Sequence, residues 1–200
     1  MTGRMPSKRL LRDTLLTVLA VALVAAGVAG GALWQRKEPK KFSEVSADTC
    51  HTVLLGLSAS VLDRVVPTSH DVSGWQKVTR KKGEYSSLCR IDADGERALQ
   101  VSVKQRNAAS PLDRITSDPV RKVSGFKESW STQSGAAAAL PCTEEKKPDE
   151  NTELHVTVES FAKKGQDVRK DLERILKAAA KTNHRLACYA APMEDGSAYD

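Results

Sequence analysis

Residues 89–103 read CRIDADGERALQVSV, and this stretch predicts a β-hairpin with a cysteine on its first arm. The Asp-Gly pair at 94–95 is a strong signal for a two-residue hairpin turn between two strands. After the turn, Leu99, Val101 and Val103 alternate with polar residues, which is the pattern of a half-buried strand. The stretch therefore indicates antiparallel strands with one apolar face.

A similar order of elements recurs farther along the chain. The stretch LDRITSDPVRKVSGF, which starts at Leu112, matches LDRVVPTSHDVSGW, which starts at Leu62. Each stretch is followed by a cysteine, Cys89 or Cys142, and then by an L-x-V-x-V strand, of which the second contains Leu154, Val156 and Val158. Four matched elements in one order favour an internal duplication over the chance recurrence of common residues.

Helical spacing of apolar residues surrounds these strands. One helix is predicted from Asp48, a suitable N-cap, to Val65, and another from Val168 to Leu186. The predicted fold class is therefore α+β: a single N-terminal transmembrane helix followed by one disulfide-stapled domain. We expect that domain to consist of two similar helix-plus-antiparallel-strand halves, at about 47–106 and 107–190.

The segment 14–34, TLLTVLAVALVAAGVAGGALW, carries no charged residue. As a helix it would measure about 31 Å, the thickness of a bilayer core. We interpret it as an uncleaved signal anchor, with a cleaved signal peptide as the alternative, because the apolar run is longer than such peptides usually have. The other predicted parts are a cytoplasmic tail (1–13), a linker (35–46), an extracytoplasmic domain (47–190) and a disordered tail (191–200).

Four basic residues precede the apolar segment and four follow it, so charge bias does not set its orientation. The short N-terminal tail and the cysteines favour a cytoplasmic N-terminus and an extracytoplasmic domain. The predicted localisation is therefore the cell membrane, with a single pass through residues 14–34.

The net charge of +6 comes entirely from the sequence around this segment. Residues 1–41 hold eight of the 31 basic side chains and two of the 25 acidic ones, which leaves 23 of each in the rest of the chain. Because the folded part lacks the basic excess that binding to a phosphate backbone requires, we predict no nucleic-acid partner.

The chain has four cysteines, Cys50, Cys89, Cys142 and Cys188, an even number that favours disulfides in an oxidising compartment. Zinc binding is disfavoured because no two cysteines lie close together as in C-x-x-C motifs. Of the three possible connectivities, the duplicated pattern selects Cys50–Cys89 and Cys142–Cys188. Each disulfide would then attach a helix to a strand of its own half.

The residues DTCHTVLLGL and SSLCRIDADGERALQVSV, within 48–103, resemble actinobacterial secreted and lipoprotein domains of unknown function. The early and later cysteines of that pattern fall on Cys50 and Cys89, and the resemblance implies their disulfide. The chain differs from it in having no lipid-attachment cysteine and in having Ile91 where those domains often place Trp. The resemblance implies an envelope protein of a Gram-positive actinobacterium and brings no activity with it.

No catalytic motif is present: the sequence lacks G-x-S-x-G, H-E-x-x-H, a P-loop and the Rossmann glycines. The four histidines are scattered, and His155 alternates with apolar neighbours, so we expect it to face solvent. We assign no catalytic, cofactor-binding or metal-binding residues and predict no cofactor.

The predicted function is therefore that of a membrane-tethered, extracytoplasmic binding or interaction module of the cell envelope rather than an enzyme, with an envelope protein or polymer as its partner. An envelope hydrolase or transferase, with a site that the sequence does not reveal, is the alternative. The basic run TRKKGEY, residues 79–85, could contact an acidic polymer, although a solvated hairpin tip is the favoured interpretation.

Overall fold

The computed structural model describes residues 38–44, 50, 53–81, 84–107, 110–112, 119–142, 152–161 and 166–189. The chain divides into two compact units, Met1–Glu38 and Pro39–Asp200, and the fold below is that of the second unit. The described residues contain no helix that is long and apolar enough to cross a bilayer. The predicted tail 1–13, the apolar segment 14–34 and the tail 191–200 lie outside the described residues.

One six-stranded antiparallel sheet, in the order β1-β2-β3-β6-β5-β4, forms the centre of the fold. The strands are β1 Val72–Lys81, β2 Glu84–Ala93, β3 Glu96–Asn107, β4 Glu128–Ser131, β5 Gly135–Pro141 and β6 Thr152–Ser160. Helix α1, Ala59–Val65, precedes β1, and helix α2, Arg169–His184, follows β6. A 3-10 turn, Phe42–Glu44, and a π-helical turn, Arg185–Tyr189, lie near the two ends.

The predicted hairpin is confirmed as β2 and β3. Asp94 and Gly95 connect the strands with φ angles of 51° and 81°, as expected of a type I′ turn, which matches the natural twist of a hairpin. The predicted extended region around Trp75 lies in β1, and the second L-x-V-x-V motif lies in β6.

The core lies between the sheet and α2. The two central strands, β3 and β6, pair along their whole shared length, and Val101 lies opposite Val158 there. Their alternate apolar side chains are fully buried, as are those of the α2 stripe: Leu99, Val101, Val103, Leu154, Val156, Val158, Leu172, Ile175 and Leu176. We call this side of the sheet the covered face and the other side the open face.

The predicted fold class is wrong, because the domain is mostly β and is built on one continuous sheet rather than on two helix-plus-strand halves. The pairing of β3 with β6 joins the residues that were assigned to separate halves. The helices are not equivalent either, since α1 precedes its strands and α2 follows them. Leu62 lies in α1, whereas its counterpart Leu112 lies in an irregular segment.

The first predicted helix is much shorter than expected. It begins at Ala59 rather than near Asp48, because Cys50 and Gly56 have φ angles of 60° and 80°, which no right-handed helix accommodates. The apolar positions of this stretch still reach the core, with Val53 and Val65 fully buried. Farther upstream, Phe42, in the segment expected to be a linker, is also buried in the core.

Both predicted disulfides are present, with Cα–Cα separations of 5.5 Å for Cys50–Cys89 and 5.2 Å for Cys142–Cys188. The first joins the turn before α1 to the middle of β2. The second joins the residue after β5 to the π-helical turn after α2. Each disulfide therefore fixes a peripheral segment to the sheet, although Cys50 is not in a helix as predicted.

A buried polar cluster connects α2 to β2. The Oδ1 atom of Asn183 accepts hydrogen bonds from the hydroxyls of Tyr85 at 2.6 Å and Ser87 at 2.9 Å. Its Nδ2 atom donates to the carbonyl oxygens of Ala179 at 2.8 Å and Val53 at 3.3 Å. Burial raises the pKa of Tyr85, opposed by the hydrogen bond to Ser87 and the charge of Arg80.

We predict that removing the Cys50–Cys89 disulfide by a double substitution to alanine lowers the free energy of unfolding by about 4 kcal/mol, the loop-closure entropy of a loop of this size. The variant that replaces Cys142 and Cys188 is the matched control, because it opens a loop of similar length, 46 against 39 residues. Since both sulfurs of the first pair are buried, its removal also leaves a cavity and should cost more. Urea unfolding measures both losses, and a larger loss for the second pair would contradict this order.

We predict a pH-dependent difference between the wild type and the Tyr85→Phe variant. Because the folded-state pKa of Tyr85 is raised above its ordinary value, the folded chain retains a proton that the unfolded chain loses, and stability falls as pH rises above that value. The Tyr85→Phe variant has no ionisable phenol, so its stability does not fall for this reason. Urea unfolding at about pH 9 and about pH 11 should show the stability advantage of the wild type shrinking, and a constant difference would refute the idea.

Candidate functional site

The open face of the sheet carries a ladder of mostly polar side chains from neighbouring strands. Register places Lys104 of β3 directly opposite His155 of β6. Adjacent rows on the same two strands pair Ser102 with Thr157 and Gln100 with Glu159. These polar positions alternate with the apolar residues of the core, so the strand pattern that builds the core also builds this surface.

The two sides of the open face differ in exposure. Leu112, in the connection from β3 to β4, lines a groove together with residues of β3 and β6. On the β4–β5 side, Trp130 and Ala137 are buried, whereas Trp75 on β1 is 44% exposed. The groove lies along β3 and β6, between the buried side and the exposed side of this face.

The groove has a volume of about 170 Å³ and is lined by Gln100, Ser102, Lys104, Arg106, Leu112, His155, Thr157 and Glu159. Pockets that enclose whole drug-sized ligands measure about 300–1,000 Å³. The groove therefore fits one small polar group, such as a substituent of a larger molecule, rather than a complete organic cofactor.

His155 is the least exposed polar residue of the groove and was expected to face solvent. It does project from the open face, as the alternation requires, but its exposure is only 5%, so the predicted solvent exposure is wrong. Among the described residues, neither ring nitrogen has a hydrogen-bond partner. The nearest acid is Glu153, whose Oε2 atom lies 3.7 Å from the Nε2 atom of His155. A buried imidazole without a hydrogen bond is uncommon in native proteins, so its two nitrogens could bind a further polar group.

The groove and its margin carry charges of both signs. Lys104 and Arg106 lie two residues apart on β3, and Glu153 of β6 lies opposite Arg106 and 3.7 Å from the Nε2 atom of His155. Glu159 lies four residues from His155 along β6, about 13 Å at the rise of a strand. Burial raises the pKa of Glu159, and the positive charge of Arg97 opposes that shift. The row of Lys104 therefore offers a positive group to an anion, and the next rows offer hydrogen-bonding groups.

The groove contains hydroxyls, an imidazole and carboxylates but no assembled catalytic group. A nucleophile–base pair requires a hydrogen bond between the hydroxyl and the imidazole. In the described residues, His155 has no such bond to Ser102 or Thr157. Within the same ranges, no three His, Cys, Asp or Glu side chains are arranged to hold a metal ion.

The structure places the predicted site residues away from this groove. All four cysteines form the two disulfides, and none of them lines the groove. His51 lies outside the described residues, His70 is exposed, and the ring of His184 lies 3.0 Å from the carbonyl oxygen of Pro141. The groove residues on β3 and β6 were not predicted as a site. The available signal was the run of polar residues between the apolar positions of the two L-x-V-x-V motifs.

Comparisons with protein-family models, with curated proteins and with solved structures find no match to this chain.

We predict that the stability of the Glu159→Gln variant, measured relative to the wild type, is greater at neutral pH than at acidic pH. Because the folded-state pKa of Glu159 is raised, its contribution to stability is present below the ordinary value and is lost as pH rises through the folded value. The glutamine variant should therefore gain on the wild type between about pH 4 and about pH 7 in urea unfolding. Glu128→Gln, at an exposed position of β4, controls for the general effect of losing a carboxylate. If the free energy of unfolding of Glu159→Gln gains no more than that of Glu128→Gln over this pH range, burial does not destabilise the charged form of Glu159.

Proposed function

We propose that this protein is a non-catalytic binding module of the cell envelope that binds an anionic group in the groove on its open face. The observation that carries the proposal is the buried imidazole of His155, which has no hydrogen-bond partner among the described residues and lies directly opposite Lys104. A carboxylate or phosphate oxygen between them would accept hydrogen bonds from both side chains. Charge-assisted bonds of this kind are about twice as strong as neutral ones.

We further propose that the domain lies outside the cell membrane, to which the apolar segment 14–34 attaches it, with the N-terminus in the cytoplasm. The two disulfides support this placement, because such bonds persist in oxidising compartments and are rare in the cytosol. The length and apolar composition of the segment support the attachment. An actinobacterial source remains an implication of the sequence resemblance around Cys50 and Cys89.

The alternative is an envelope hydrolase or transferase that uses the same groove. One observation favours it: the hydroxyls of Ser102 and Thr157 lie in the groove with His155. Against it stands the absence, among the described residues, of a hydroxyl hydrogen-bonded to the imidazole. An enzyme would lose turnover but retain ligand in the Ser102→Ala variant, whereas a binding module has no turnover to lose.

We predict that Lys104→Ala and His155→Ala each weaken the binding of inorganic phosphate by about tenfold, since each removes one charge-assisted hydrogen bond. The full chain, purified in an uncharged detergent, is titrated with phosphate by isothermal calorimetry. Lys170→Ala, an exposed lysine of α2, is the matched control and should bind as the wild type does. Equal affinities in all four proteins, or no binding at all, would refute an anion site at this row.

A further inference from the structure

The open face of β1, β2 and β3 carries an excess of positive charge. Among the described side chains that project from it, six are cationic and two are acidic. The cations are Lys77, Lys81, Arg90, Arg97, Lys104 and Arg106, and the acids are Glu84 and Asp92. Because residues 42–200 contain equal numbers of basic and acidic side chains, this face concentrates positive charge that the sequence as a whole does not show.

Trp75 provides an exposed aromatic surface on the same face. Its side chain is 44% exposed, and register places it in one row with Arg90 and Gln100. The guanidinium of Arg90 is held by Asp92, with 2.6 Å between its Nε atom and the Oδ1 atom of the carboxylate. From β1 to β3 there are two strand spacings, about 10 Å, so Trp75 and the groove are separated by more than one small ligand can span.

The flat ring, the cations and the groove together restrict the kind of molecule that fits. A lipid headgroup layer is planar and cannot reach an imidazole that is 5% exposed at the bottom of a groove. Single-stranded nucleic acid is usually bound by several aromatic side chains on which successive bases stack. Trp75 is the one aromatic side chain among the described open-face positions of β1, β2 and β3.

We propose that the open face of β1, β2 and β3 extends the groove into a binding site for an acidic polysaccharide. One acidic substituent occupies the row of Lys104 and His155, and a sugar ring of a neighbouring unit stacks on Trp75. The exposed lysines of β1, Lys77 and Lys81, contact further acidic groups along the polysaccharide chain. This inference rests on the proposed anion site in the groove and adds the class of ligand and a second contact.

The experiment compares two probes on the full chain in an uncharged detergent: oligogalacturonate, an acidic oligosaccharide, and inorganic phosphate. We expect Trp75→Ala to weaken oligogalacturonate binding by about tenfold, the size of one aromatic contact, and to leave phosphate binding unchanged. Leu55→Ala is the matched control, because Leu55 is also an exposed apolar side chain, at 53% exposure, and belongs to no strand. It should bind both probes as the wild type does.

The two proposals fail in different ways. If phosphate binding depends on Lys104 but oligogalacturonate binding is unchanged in the Trp75→Ala variant, the polysaccharide site is refuted and the anion site stands. If neither probe binds, both are refuted. The same proteins are also tested with phosphatidylglycerol vesicles and with single-stranded oligothymidine. If either probe binds more tightly than oligogalacturonate, and Trp75→Ala abolishes that binding, the ligand is a lipid surface or a nucleic acid and the polysaccharide proposal is refuted.

Discussion

The backbone pairing of β3 with β6 at the centre of the sheet is the interaction on which both the core and the groove depend. It places Val101 opposite Val158 on the covered face, and it places Lys104 opposite His155 on the open face. Because side chains alternate along a strand, a slip of one residue in this register would move the apolar set to the open face and the polar set into the core. The same set of hydrogen bonds thus fixes both the apolar core and the row of Lys104 and His155 on the open face.

The two faces of the sheet differ in how they are held. On the covered face, α2 packs on the central strands, the hydrogen bonds of Asn183 connect α2 to β2, and the disulfides fix the segments at both ends of the domain. The open face has buried side chains at β4 and β5, a polar groove at β3 and β6, and the exposed Trp75 on β1. The covered face therefore holds most of the apolar core, and the open face carries most of the polar strand positions.

The sequence predicts the features that depend on nearby residues. The Asp-Gly turn, the strand patterns and the apolar stripe of α2 each depend on a short stretch of chain, and all three are present. The cysteine pairing followed from the repeated pattern even though the two halves that the pattern suggested do not exist as separate units. The first helix is shorter than predicted, because a turn followed by a short helix can bury the same apolar positions as one long helix.

The continuous sheet and the groove could not be predicted, because they depend on contacts between residues far apart in the chain. Alternation correctly placed His155 on the face opposite the core, but the 5% exposure of its side chain does not follow from the strand pattern. Likewise, the charge balance of residues 42–200 hid the positive surface, since composition does not record which charges share a face. The register of β3 and β6 alone decides which side chains lie opposite each other on these two strands.

Gly135 is a small feature with a consequence for how this sequence can vary. A Cβ atom at this position would lie 3.3 Å from the Cζ3 atom of Trp130, closer than most such contacts, so the indole rests on the bare backbone of β5. Chains that diverge from this one should therefore change positions 130 and 135 together. A larger residue at 135 would be tolerated where a smaller one replaces the tryptophan, so the two positions should covary among related sequences.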